Sequence, residues 1–132
     1  MHRKMLLLLL LLSVLRPFET ASMSLMETLV QKELSGYRQD KWCEEHGGLA
    51  RRVLADQTLI DCLTETHAIK FEPAANWDRA IGRALFYGLK TDKRAGLVLI
   101  FERKEDDAFW QSMNQVIKHF NLPIDAWKIG QQ

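Results

Sequence analysis

Between residues 24 and 46 the apolar positions Leu25, Leu29, Leu34, Tyr37 and Trp42 recur at loosely helical spacing. Ser24 stands as N-cap with Glu27 three residues on, and Gly47-Gly48 follows, so a helix over 24–46 is predicted. Three short extended runs come next, 50–54, 58–64 and 66–73, and in the last two apolar or β-branched residues alternate with polar ones. Ala55-Asp56-Gln57 supplies a turn between the first two, and the three read as an antiparallel meander. Trp77, Ala80, Ile81, Ala84, Leu85 and Leu89 then line one side of a helix over 75–90. The unbroken apolar run 96–101 has the length and character of a strand buried on both faces. A last helix over 106–120, capped by Asp106 or Asp107 and ended before Pro123, leads into a strand over 124–129. The order αβββαβαβ predicts an α/β fold, a three-layer α/β/α sandwich around a central mixed sheet.

The pattern upstream of residue 23 has a different origin. His2, Arg3 and Lys4 make a basic start, seven consecutive leucines run from Leu6 to Leu12, and Thr20-Ala21-Ser22 offers small residues. That is the three-part pattern of a secretory signal peptide, 1–22, cleaved after Ser22. The apolar stretch 5–15 is much shorter than the roughly 20 residues that span a bilayer, so no membrane embedding is expected after cleavage. A periplasmic or secreted location follows, or a cytoplasmic one if Met23 is the true start. Residues 23–132 then form a single domain, long enough to bury its own core.

Composition narrows the classes. With 47% hydrophobic and 27% charged residues, collagen-like, low-complexity and disordered chains are excluded. Removing 1–22 takes away Arg3, Lys4, Arg16 and Glu19, which moves the net charge from +1 to about −1. Such a balance carries no global footprint of nucleic-acid binding, so any such contact needs a local basic patch. Cys43 and Cys62 are either a disulfide, as an oxidising compartment permits, or two buried thiols.

The chemistry-bearing residues concentrate in the meander. Strand alternation puts Lys70 and Glu72 on one face and Ile69 and Phe71 on the other, while the preceding strand carries Asp61. Two carboxylates and an ammonium converging there suit a Mg²⁺ site, with the lysine steadying phosphate charge. The alternative is a set of surface ion pairs of little energetic weight. Cys43, His46, Cys62 and His67 lack the paired spacing of a zinc site, and Cys62 with His67 is a weak candidate for a thiol nucleophile. Arg79 and Arg83, four apart on the middle helix, could track phosphates beside Lys70; further basic residues are Arg51, Arg52, Lys90, Lys93, Arg94, Arg103 and Lys104. Trp42, Trp77, Trp110 and Trp127 lie on apolar faces and read as core.

The string Asp61-Cys62-Leu63-Thr64-Glu65-Thr66-His67-Ala68-Ile69, with Trp42-Cys43 and Gly47-Gly48 before it and Trp77 and Ala80-Ile81-Gly82 after it, resembles a small branch of the PD-(D/E)XK superfamily. The resemblance covers about residues 33–127. It implies a restriction-endonuclease-like fold and Mg²⁺-dependent phosphodiester cleavage of nucleic acid. Asp61 would be the first metal-binding carboxylate and Glu33 an accessory acid; Glu72 would be the second acid and Lys70 the base only if those two have exchanged places. The chain departs from the pattern at Lys70, Asn76 and Arg83. Lys70 stands where a glutamate is usual, Glu72 where an acid or lysine follows, and Asn76 and Arg83 replace a lysine and a glutamine of the helix. Either Lys70 and Glu72 have exchanged roles along one face, or a lysine at the ligand position repels the metal and hydrolysis is lost. In the second case the fold serves as a binding or structural module, gripping a protein or nucleic-acid partner through Arg79, Arg83 and Lys70.

Overall fold

The computed structural model describes residues 2–130. Along the chain come α1 (His2–Glu45), β1 (Leu49–Val53), β2 (Leu59–Leu63), β3 (His67–Pro73), a 3₁₀ turn (Ala74–Asn76), α2 (Trp77–Thr91), β4 (Arg94–Phe101), α3 (Asp106–His119) and β5 (Ile124–Gly130). This is a mixed α/β fold, and its element order is the one the hydrophobic pattern predicts. The chain divides between Arg38 and Gln39 into two units. The first is helical throughout its described length and leaves Leu25, Met26, Leu29 and Leu34 exposed. The second carries the sheet.

Two expectations about helix ends need correction. The first helix does not start at Ser24: it is already running at His2, and the Ser24 carbonyl accepts a bond from Thr28 Oγ1 at 2.9 Å. Leucine, methionine and glutamate favour helix on both sides of Ser24, so no cap is needed there. Nor do Asp106 and Asp107 cap α3 as N-cap residues; Glu105 holds that position with no side-chain bond. Asp106 is instead buried inside the first turn, where its Oδ2 accepts the amides of Glu102 at 2.7 Å and Arg103 at 3.1 Å. Among the described residues no helix is long and apolar enough to cross a membrane.

The sheet runs β1-β2-β3-β4-β5 in order. β2 is antiparallel to both neighbours, whereas β3, β4 and β5 are parallel, so β2 alone opposes the other four. Parallel neighbours require crossovers, which α2 and α3 provide. Alternation along β4 feeds two cores. Ala95, Leu97, Leu99 and Phe101 pack with Ala80 and Ala84 of α2 and Met113 of α3. Val98 and Ile100 join Ile69, Phe71, Cys43 and Cys62 on the opposite face, with Trp42 and Trp127 against them. That explains why 96–101 is apolar at every position. Trp77 and Trp110 pack on the helical side, so all four tryptophans serve the core.

A disulfide joins Cys43, in the last turn of α1, to Cys62 of β2, with Cα atoms 5.7 Å apart. It closes a sequence separation of 19, which in the chain-entropy account stabilises the fold by about 3 kcal/mol. Gly48 is required beside it, because a Cβ there would stand 2.7 Å from both sulfurs.

Candidate functional site

The register of β3 decides which side chains meet. Lys70 is opposite Leu97 and Glu72 opposite Leu99, so both side chains leave the sheet on the face covered by α2. Pairing between β2 and β3 is recorded at Leu63 with Ala68 and at Cys62 with Ile69. One step further along β2, Asp61 replaces a ladder bond with its side chain: Oδ2 accepts the amide of Phe71 at 2.9 Å. The same oxygen accepts Lys70 Nζ at 2.8 Å, and Oδ1 accepts the Tyr87 hydroxyl at 3.2 Å. Glu72 is held from the other side. Its Oε1 accepts Arg79 Nη2 at 2.9 Å and Asn76 Nδ2 at 3.3 Å, and its Oε2 lies 3.6 Å from Lys70 Nζ.

Lys70 is thus the hinge of a network containing both carboxylates. The three side chains are only 19%, 18% and 11% exposed for Lys70, Asp61 and Glu72. In so little water each charge needs its partner, since an unpaired ion there would forfeit its solvation. Tyr87, buried on α2, is pushed well above the ordinary tyrosine range, chiefly by that burial and then by the neighbouring Asp61 charge and hydrogen bond. It therefore stays a protonated donor to Asp61 at physiological pH.

Arg83 does not join this hydrogen-bonded set; it lines a cleft of about 420 Å³ with Thr58, Asp61, Lys70, Phe86 and Tyr87. Arg79 is spent on Glu72, and its guanidinium is otherwise largely in solvent. Glu33 lies exposed on α1, in the unit that ends at Arg38. Two participants escaped the sequence reading, Tyr87 and the Phe71 amide. Tyr87 could have been found as the one polar-tipped residue following Ala80 and Ala84 on the buried side of α2.

The cysteines and the two histidines near them have other partners, and the disulfide leaves no Cys62 thiol to act as a nucleophile. Both sulfurs are in the disulfide. His46 stacks on Trp42 with ring centroids 3.6 Å apart, and its Nδ1 sits 2.7 Å from the Trp42 carbonyl. His67 Nε2 meets Asp125 Oδ2 at 2.7 Å, and Arg94 reaches the same carboxylate through Nε at 2.5 Å and Nη2 at 3.0 Å. Among the described residues no group of three or more His, Cys, Asp or Glu is placed to hold a metal. No family model, curated protein or solved structure matches the chain.

Proposed function

We propose that this chain is a noncatalytic binding module built on a restriction-endonuclease-like fold, with Lys70 acting as the internal cation of a former metal site. The observation that carries the reading is the ammonium 2.8 Å from Asp61 and 3.6 Å from Glu72. Mg²⁺ demands a near-octahedral shell of oxygens at about 2.0–2.1 Å around one point. Asp61 and Glu72 are the acids available for that shell, and the ammonium between them would repel a dication at the same place. The donor set therefore does not suit the metal, and no hydrolytic step is assigned through it.

The fold reading is supported by the αβββαβ beginning of the second unit's sheet and by the motif strings around Asp61 and Trp77. Binding is assigned to the side of α2 carrying Arg79 and Arg83, where Arg83 borders the cleft beside Lys70. A nucleic-acid phosphate is the partner those guanidinium groups suit. The leader pattern of 1–22, together with the Cys43–Cys62 disulfide, supports export to a periplasmic or extracellular setting.

One observation favours a second reading: Asp61, Lys70 and Glu72 do meet, so the inventory of two acids and one base survives in rearranged form. The test separates the two. Full-length protein is incubated with single- and double-stranded DNA and RNA in Mg²⁺, Mn²⁺ or EDTA, beside Asp61→Ala, and melting is followed in the same buffers. The module reading expects intact nucleic acid and no rise in Tm with metal. Metal-dependent cleavage that disappears in Asp61→Ala would replace it with the hydrolytic reading.

A further inference from the structure

A second cleft, also of about 420 Å³, opens where β4 and β5 end, and it shares no residue with the Asp61 network. Its lining includes Phe101, Arg103, Lys104, Asp107, Lys128 and Gly130. The carboxyl ends of these two parallel strands form its floor. Here that position is built of cations.

Lys128 is opposite Leu99, so it rises on the helical face of the sheet. Its Nζ is 5.2 Å from the Phe101 ring centroid and 5.6 Å from that of Trp110, which hold the ammonium by cation–π attraction. Asp107 is 3.8 Å away, a loose ion pair. Arg103 and Lys104 are exposed on the turn after β4, and among the described residues neither meets a carboxylate. The turn that carries them is fixed, because the buried Asp106 carboxylate takes the amides of Glu102 and Arg103. Those amides are therefore spent, and recognition of an anion falls to the side chains. The floor is fixed as well. Gly130 has φ +111°, and a Cβ there would lie 2.1 Å from the Phe101 carbonyl oxygen, so only glycine lets β5 close on the end of β4.

Among the lining residues three cations meet one carboxylate, a local surplus of two positive charges, with the exposed Glu102 and Glu105 of the same turn outside the lining. A phosphate monoester carries roughly −1.5 to −2 at neutral pH, which complements that surplus. We propose that this cleft binds a phosphate monoester, with Lys128, Arg103 and Lys104 holding the phosphate oxygens. A free mononucleotide and the 5′-phosphorylated end of a strand present the same group, and Arg103 and Lys104 at the mouth suit either.

The full-length protein is titrated with inorganic phosphate, AMP, adenosine, and a short single-stranded oligonucleotide with a 5′-phosphate or a 5′-hydroxyl, followed by calorimetry at two salt concentrations. Phosphate and AMP are expected to bind, more weakly at high salt, whereas adenosine is not; the phosphorylated oligonucleotide is expected to bind more tightly than the 5′-hydroxyl one, whose backbone phosphates can still meet Arg79 and Arg83. Lys128→Gln and the double substitution Arg103→Gln with Lys104→Gln should each weaken AMP binding about tenfold, the loss of a charge-assisted hydrogen bond. The double variant changes only exposed side chains, so it tests the site even if Lys128→Gln disturbs the packing on Trp110. Tighter binding of AMP than of the phosphorylated strand supports a free ligand, and the reverse supports a strand end. Absence of phosphate-monoester binding, equal binding of adenosine and AMP, or unchanged affinity in the double variant would overturn the proposal. Because the Asp61 network is untouched throughout, that failure is distinct from failure of the module reading.

Discussion

Two acid–base clusters tie neighbouring strands together, and they do so in different surroundings. In the first, Asp61 of β2 and Lys70 and Glu72 of β3 lie beneath α2, with Tyr87 closing the top and all three charged side chains less than one-fifth exposed. In the second, Asp125 of β5 meets Arg94 of β4 and His67 of β3, but the carboxylate is 39% and the guanidinium 49% exposed. The hydrogen bonds are of similar length in both. What differs is the cost of leaving a member alone, because water re-solvates Asp125, 39% exposed, more readily than Asp61, 18% exposed at the edge of its cleft. Contact geometry by itself would rank the two clusters as equals; burial separates them.

The largest effect is expected from removing the shared cation of the buried cluster. Lys70→Ala leaves two carboxylates facing each other with Arg79 alone in compensation, and a destabilisation of about 3 kcal/mol follows. Urea denaturation at pH 7 measures it. The same variant should bind Mg²⁺ where the parent does not, seen as a metal-dependent recovery of Tm, because the two acids then lack their internal cation. A loss below about 0.5 kcal/mol, the scale of a surface ion pair, would show that the cluster is effectively solvated.

Much of this arrangement is legible in the sequence, for reasons that also mark where legibility stops. The apolar run 96–101 and the alternation in 66–73 are direct consequences of which faces are buried, so strands, order and the shared face of Lys70 and Glu72 can be read from periodicity. Distances cannot. Whether Asp61, Lys70 and Glu72 surround a metal or one another depends on ångström-scale placement that no spacing encodes. Asp125 and His67 are separated by 58 positions, and nothing local to either points to the other. Asp106 shows the opposite failure: its cap-like sequence context is real, but its carboxylate serves the preceding turn rather than the helix N-cap. Ser24 predicts a helix start that the structure does not show, because a good N-cap residue permits a helix to begin and does not require it.

A smaller effect belongs to the solvated cluster, and it appears as a pH dependence. The Arg94 guanidinium, above all, with the His67 bond in support, holds the Asp125 carboxyl at about 2, against an ordinary value of 3.8; partial burial works the other way. A depressed carboxyl stabilises the fold while it is ionised, so the contribution is complete above the unfolded value and is lost as pH falls from about 4 through about 2. With the side chain 39% exposed, solvent screening reduces it to about 1 kcal/mol. Asp125→Asn should therefore lie below the parent by about that amount at pH 6, with the gap closing between pH 4 and pH 2. A gap that stays constant across this range would mean the carboxylate charge contributes nothing.

The smallest effect tests whether a partner's burial or its own decides the outcome. Arg79 binds the buried Glu72, yet its own side chain is 73% exposed, so water can enter when it is removed. Glu72 keeps Asn76 at 3.3 Å and Lys70 at 3.6 Å in any case. Arg79→Ala is therefore expected to cost about 0.5 kcal/mol in urea denaturation, several times less than Lys70→Ala on the same carboxylate. Should the two variants lose equal stability, the burial of Glu72 alone would set the energy, and Lys70 would have no special place as the cation shared by both acids.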